Sequence, residues 1–169
     1  MAAQILFFLL ATVAIAAGLG MLLSKSPVTC ALWLILNLFS IAGLYLTLNA
    51  EFIAVVQILV YAGAIMVLFL FVIMLLNLDS LPEVKNIEWK RIVGFTLGMG
   101  VLALLCFVVA SSLDILPFKI SAGRAAEVGS ATSLGEVLFT QYAMPLEVIG
   151  ILLLAATIGA VMLAKRKPV

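Results

Sequence analysis

The sequence has no histidine and only two cysteines, which limits the cofactors that the chain can bind. Haem, zinc and iron–sulfur sites need histidine or clustered cysteine ligands. Cys30 and Cys106 are far apart in the sequence, and each falls within an apolar run. We therefore expect this chain alone to hold no haem, zinc or iron–sulfur site, and we predict no cofactor-binding or metal-binding residue on it.

Charged residues are also scarce, at 10% of the chain, whereas apolar residues make up 66%. Soluble domains are about half apolar and about a quarter charged. The net charge is +1, and the longest basic cluster, Lys165–Lys167, follows the last apolar run. We interpret this cluster as an anchor at the membrane surface. The composition predicts an integral membrane protein that contacts the lipid bilayer and no nucleic acid.

Five apolar runs predict membrane-spanning helices, since a span needs roughly 20 apolar residues. We predict an all-α integral membrane protein, a bundle of five transmembrane helices that forms a single membrane domain over residues 1–169. The predicted helices, called spans 1 to 5, cover about 3–23, 28–48, 51–78, 91–113 and 144–164. Span 1 has no basic residue before Lys25 and is too long for a secretory signal, so we expect it to be retained.

The basic residues between the spans predict the orientation in the membrane. If the spans alternate in direction, only Lys119 and Arg124 of the nine basic residues fall on one side. The other seven are Lys25, Lys85, Lys90, Arg91, Lys165, Arg166 and Lys167. Because basic residues favour the cytoplasmic side, we expect the N-terminus outside and the C-terminus in the cytoplasm.

Polar residues between the spans predict where some helices begin. Asn49 is a candidate N-cap of span 3, which places Glu51 in its first turn. The segment 114–133 is predicted to be a long outer loop. After it, Ser133 and Glu136 fit a capping box, and we expect them to open a short amphipathic helix before span 5.

Span 3 carries the residues that are candidates for chemistry. Gln57 and Tyr61 are four residues apart and share a helix face, with the small residue Gly63 close by. Glu51 lies about 120° around an ideal α-helix from Gln57. Glu51 and Glu147, each near the start of a helix, are candidate proton-handling carboxylates. The alternative is that both offset the positive end of a helix dipole.

A π-bulge in span 3 would change which of its residues share a face. Such a bulge adds a residue to one turn, rotates the rest of the helix and often marks a functional site. The small residues Ala62-Gly63-Ala64 are the place in the span that would tolerate it. The alternative use of these small residues is close packing between helices, which the sequence alone favours.

The core of span 3 closely resembles a known family of membrane subunits. The run Gln57-Ile-Leu-Val-Tyr61-Ala-Gly63-Ala-Ile-Met-Val-Leu-Phe-Leu-Phe is similar to subunit J of bacterial respiratory complex I, the counterpart of mitochondrial NADH dehydrogenase subunit 6. The resemblance extends to Lys25-Ser-Pro27 and to Tyr142-x-x-Pro145-Leu-Glu147.

The resemblance implies a subunit of the proton-translocating NADH:quinone oxidoreductase in a bacterial inner (plasma) membrane. It implies a π-bulge near Tyr61-Gly63 that couples quinone reduction to proton transfer. FMN, iron–sulfur clusters and quinone are then expected on partner subunits, among them the quinone-chamber subunit and a small antiporter-like subunit. The implied coupling or gating residues are Tyr61, Gly63, Val67, Met66 and Gln57, with Glu51 and Glu147 as proton-handling candidates.

Two other interpretations stay open at this point. The chain is compatible with a purely structural helix bundle that holds its neighbours in place. It is also compatible with a subunit of a related complex, such as a cation/proton antiporter, a membrane-bound hydrogenase or another quinone-reducing dehydrogenase. A stand-alone channel is disfavoured because no span carries a charged residue at mid-depth.

Overall fold

The structure, a computed structural model, describes residues 2–76, 88–112 and 121–165, and all regular structure within these ranges is helical. The helices are α1 (Ala2–Leu23), α2 (Pro27–Thr47), α3 (Glu51–Val56), α4 (Met66–Leu76), α5 (Glu88–Ser112), α6 (Ala122–Val128), α7 (Ala131–Thr140) and α8 (Ala143–Ala164). A π-helical segment, Gln57–Ile65, joins α3 to α4 and is called the π segment.

Within the residues that the structure describes, five helices are long and apolar enough to cross a membrane, which confirms the predicted all-α class with five spans. They are Ala2–Leu23, Pro27–Thr47, Glu51–Leu76, Ile92–Ser111 and Ala143–Ala164. Span 3 is thus one helix built from α3, the π segment and α4. The orientation of the termini stays a prediction. The predicted link between spans 3 and 4 lies almost entirely outside the described residues.

Helices α1 and α2 pack against each other in opposite directions through small residues. Gly43 of α2 lies against Leu10, and Gly20 lies against the ring of Trp33, where an added Cβ would be 2.6 Å from the indole. Between them, Asn37 Nδ2 donates to the Ala14 carbonyl oxygen at 2.7 Å. Small residues and interhelical hydrogen bonds are what hold helices together in lipid, where the hydrophobic effect between helices is weak.

Span 3 packs on α2 and completes a three-helix bundle. Met66 and Ile73 of α4 form a buried cluster with Ala31 of α2. The partly buried apolar residues around this cluster are Val28, Leu34, Ile35, Leu38 and Leu70. In contrast, no residue of α8 is buried, and none of the residues 92–111 of α5 is buried. The described core therefore consists of the first three spans.

The turn between α2 and α3 corrects the predicted role of Asn49. Its φ of 58° puts it in the left-handed region, directly after the last turn of α2. The Asn49 N–H donates to Leu46 O, and the Ala50 N–H donates to Tyr45 O. This pair of bonds is a Schellman motif, in which asparagine is the usual substitute for glycine. Asn49 therefore ends α2, and the N-cap of α3 is Ala50, without a side-chain hydrogen bond.

The segment before span 5 also differs from the prediction. Residues 122–128 form α6, so the predicted long loop over 114–133 is wrong for this part. The short helix before span 5 is present as α7, but its cap is Ser130, three residues before the predicted Ser133. Ser130 Oγ accepts from the Ser133 N–H at 3.3 Å and donates to Glu127 O at 2.8 Å. One serine thus joins the end of α6 to the start of α7.

Candidate functional site in span 3

The π segment occupies nine residues in the middle of span 3, at the small residues that the sequence pointed to. Its hydrogen bonds reach one residue further than those of an α-helix, as in the Met66 N–H, which points at Tyr61 O and Gly63 O. π-Helical geometry is rare and occurs mostly as single-turn bulges, often at functional sites. Because a nine-residue segment is longer than a single turn, it is the least ordinary backbone feature of the described chain.

The π segment aligns the buried faces of the two halves of span 3. Ala54 before it is 1% exposed, and Ala62 and Met66 are each 5% exposed. In an unbroken α-helix, Ala54 and Ala62 would differ by about 80° in direction, at about 100° per residue. If the segment takes up one extra residue, that difference falls to about 20°. The π geometry therefore brings the two buried alanines closer to one face of the helix.

Gly63 is the glycine of the π segment, and a side chain in its place would lie close to a backbone oxygen. A Cβ at this position would lie 3.1 Å from the carbonyl oxygen of Ile58, which is tighter than most contacts of real Cβ atoms. Ile58 stands five residues earlier, which is the position of the acceptor in π-helical bonding. Glycine is thus suited to the π form, and a larger residue would crowd it.

The predicted gating residues occupy different environments in span 3. Gln57 is the first residue of the π segment and is half-buried. Tyr61, at its centre, is 50% exposed. Met66 is buried against α2, whereas Val67 next to it is 62% exposed. The structure brings Gln57, Tyr61 and Gly63 into the π segment and separates Met66 from Val67, which the sequence could not distinguish. Their roles stay predictions.

The two candidate carboxylates lie at helix starts, away from the π segment. Glu51 is exposed in the first turn of α3, about 9 Å along the axis from Gln57 at 1.5 Å per residue. Glu147 is exposed in the first two turns of α8. Both positions are compatible with a helix-dipole role and with proton exchange, so the proton-handling role also stays a prediction.

One contact near this site was not foreseen from the sequence. The Phe52 N–H, in the first turn of α3, donates to the carbonyl oxygen of Gly129 at 3.4 Å. The signal that would have found it is weak, because Gly129 is one of several glycines and lies far from Phe52 in the sequence.

As for metals, the described residues contain no group of three or more histidine, cysteine or acidic side chains that would hold an ion.

A family model and several relatives match most of this chain. The family model described as NADH-ubiquinone/plastoquinone oxidoreductase chain 6 matches residues 17–163. The chain is 38% identical over 162 residues to NADH-quinone oxidoreductase subunit J of Rhodobacter capsulatus, covering 95% of this chain and 80% of the relative.

Two further relatives are a second subunit J and a chain 6. Subunit J of Rickettsia bellii is 33% identical over 165 residues, which is 96% of this chain and 80% of the relative. NAD(P)H-quinone oxidoreductase chain 6 of Nostoc sp. is 36% identical over 162 residues, which is 95% of this chain and 78% of the relative. This chain belongs to the family of NADH-ubiquinone/plastoquinone oxidoreductase chain 6.

Proposed function

We propose that the chain is a multi-pass membrane-arm subunit of a proton-translocating NADH:quinone oxidoreductase in a bacterial inner membrane. Membership of the family and five apolar helices support this assignment. In this proposal the chain carries no redox step itself. FMN, the iron–sulfur clusters and quinone are held by partner subunits, and the neighbours in the membrane include the quinone-chamber subunit and a small antiporter-like subunit.

The π segment is the element that couples quinone reduction to proton transfer in this proposal. Coupling requires an element with two discrete arrangements whose balance the distant reaction changes. A helix can switch between a π-helical turn and an α-helical turn that holds one residue fewer. These are two such arrangements, because the switch rotates the rest of the helix by about 100°. The π segment at Gln57–Ile65 is the single observation that carries this part of the proposal.

The side chains at the end of the π segment and in α4 support a second packing after such a rotation. Suppose that α3 stays in place and the π segment becomes α-helical. Ile65 and Val72 then take the directions that Met66 and Ile73 now have, since each precedes its counterpart by about 100° around the helix. Ile65 and Val72 are 49% and 41% exposed and apolar, so the face presented to α2 stays apolar. Both arrangements therefore bury hydrocarbon against α2.

The same rotation would move the gating candidates relative to a proton path. Met66 would leave the contact with Ala31 and turn outward, and Val67 would move by the same angle across the exposed surface. A bulky apolar side chain entering or leaving a narrow hydrated path closes or opens it. In this proposal Tyr61 and Gly63 form the pivot, Met66 and Val67 form the gate, and Gln57 marks the start of the moving segment.

A related quinone-reducing dehydrogenase is the second candidate, because the Nostoc relative is named as an NAD(P)H-quinone oxidoreductase rather than an NADH enzyme. Purification of the intact complex through a tag on this chain separates the two. We expect flavin- and iron–sulfur-containing partners and inhibitor-sensitive quinone reduction by NADH. Recovery with antiporter-type chains alone, or reduction with another donor only, would contradict the assignment.

The coupling role needs its own test in the assembled complex. Gly63→Val places a branched side chain against Ile58 O, so we expect quinone reduction and proton pumping to fall together. Gly98→Val is the matched control, because Gly98 is also inside a span but a Cβ there meets nothing within 4 Å. Full activity of an assembled Gly63→Val complex would contradict the coupling role and leave a structural one.

A further inference from the structure

The first turn of α3 depends on a distant part of the chain for its cap. The first N–H groups of a helix have no partner within the helix and are usually satisfied by a capping side chain. Ala50, the N-cap residue, has no side chain that can do this. The Phe52 N–H instead donates to Gly129 O, in the turn between α6 and α7. A backbone carbonyl from another segment therefore replaces the missing cap.

The contact is close enough that only glycine fits at position 129. A Cβ there would overlap the carbonyl oxygen of Asn49 and would lie 3.2 Å from the Cα of Ala50. The backbone of Gly129 itself is ordinary, with φ of −78° and ψ of −2°, which any residue adopts. The glycine is thus required by the approach of two backbones and not by a turn conformation.

Hydrogen bonds hold the α6–α7 turn on both sides of Gly129. The Gly129 N–H closes the last turn of α6 by donating to Ala125 O at 2.9 Å. Ser130 then bonds both to Glu127 O and to the Ser133 N–H, so the end of α6 and the start of α7 share one side chain. α7 also lies close to α6 and α8, its neighbours in the chain. The carbonyl that caps α3 is therefore held from both sides.

We infer that the α6–α7 turn fixes the rotation of α3, so that a change in the π segment moves α4 and not α3. The inference rests on the proposed two-state π segment. Gln57 begins that segment only about 7.5 Å along the helix from Phe52, at 1.5 Å per residue. Rotation of α3 would carry the Phe52 N–H away from Gly129 O and drive the α2–α3 turn into the α6–α7 turn. Gly129 is thus a positioning residue for the coupling element.

Spin labelling of the two halves of span 3 tests this inference. Val55→Cys on α3 and Leu68→Cys on α4 replace side chains that are 51% and 64% exposed in the chain alone. Each is introduced into a chain whose Cys30 and Cys106 are alanine, the intact complex is labelled with a nitroxide in detergent and returned to membrane vesicles, and its room-temperature EPR spectrum is recorded with and without NADH. With Gly129 in place, we expect NADH to change the rotational correlation time of the nitroxide severalfold at Leu68→Cys and not at Val55→Cys.

Two variants loosen the anchor in different ways. Gly129→Ala separates the two backbones, and Ser130→Ala removes the shared hydrogen bonds of the turn without a clash, which matters if Gly129→Ala does not assemble. In either variant we expect an NADH-dependent change at Val55→Cys. Gly135→Ala in α7 is the matched control, since a Cβ there meets nothing within 4 Å, and it should behave like the parent.

The outcomes separate this inference from the proposed function. Suppose that Leu68→Cys responds in the parent but Val55→Cys responds in neither loosened variant. That result would overturn the anchoring role of the α6–α7 turn but would agree with the two-state π segment. A response at Val55→Cys already in the parent would also overturn the anchor. No response at Leu68→Cys in the parent would overturn the proposed two-state segment itself.

Discussion

Replacement of Gly63 by alanine is the smallest change that should alter the π segment. The added Cβ lies 3.1 Å from Ile58 O, so the π form must give way by a few tenths of an ångström. An extra methyl group in a packed site costs about 1–3 kcal/mol, and a single close contact belongs at the lower end. The entropy gained by replacing glycine comes from the unfolded chain and is the same for both forms.

A cost of about 1 kcal/mol to the π form alone changes its population relative to the α form about fivefold. Because the proposed cycle passes through both forms, we expect quinone reduction in the Gly63→Ala complex to fall by up to about fivefold, with proton pumping falling in parallel. The assay compares NADH-driven quinone reduction and pumping in vesicles with reduction of a water-soluble acceptor that takes electrons before the quinone, which should not change.

The control for this prediction is Gly98→Ala in α5, where a Cβ enters open space. It should keep the parental rates. Equal loss of activity in the two variants would show that any added methyl group in these spans disturbs the complex. Parental activity in an assembled Gly63→Ala complex would refute the reasoning about crowding of Ile58 O.

Three further predictions concern helix packing and the Glu51 carboxylate. Asn37→Leu removes the bond to Ala14 O, so the complex should dissociate at a lower temperature by an amount corresponding to about 0.6–2 kcal/mol, with unchanged turnover per assembled complex; reduced turnover would contradict a purely structural bond. Gly20→Ala should lower the amount of assembled subunit on immunoblots because its Cβ meets the indole at 2.6 Å, whereas Gly18→Ala, whose nearest neighbour is 3.8 Å away, should not. Glu51→Gln should lower proton pumping in vesicles while Glu51→Asp retains it; parental pumping in the glutamine variant would argue for a helix-dipole role.

The number and class of the spans were predictable because hydropathy is a local property. Each run of about 20 apolar residues predicts a span, whatever the sequence on either side of it. The position of the π segment was predictable only through the resemblance at Tyr61-Gly63, together with the small residues around it. From periodicity alone, packing of small residues was the favoured interpretation, and the structure shows that Ala62 serves in packing as well.

The caps were harder to predict because the same residue types serve both ends of a helix. Asn49 fits an N-cap by type, but asparagine also adopts the left-handed conformation that ends a helix. The tight turn between α2 and α3 gave it the second role. Ser130 and Ser133 are both acceptable caps by residue type, and the structure uses Ser130, whose hydroxyl also donates to Glu127 O.

Contacts between distant segments were beyond the sequence. Gly129 and Phe52 are separated by two spans, and no pattern in either segment announces their contact. Met66 and Val67 are both apolar, so only the three-dimensional packing against Ala31 shows that one is buried and the other exposed. Which of the two side chains is buried depends on how span 3 packs against α2.

Cross-linking between α2 and span 3 tests the two-state π segment most directly. In a chain whose Cys30 and Cys106 are alanine, Ala31→Cys is paired with Met66→Cys, its present neighbour, or with Ile65→Cys, its neighbour after rotation. With copper–phenanthroline added as the oxidant, we predict that the first pair forms a disulfide in resting membranes and that the second forms only when NADH and quinone are also supplied. If the Met66→Cys pair forms equally under both conditions and the Ile65→Cys pair forms under neither, the π segment does not change during turnover and the coupling account is wrong.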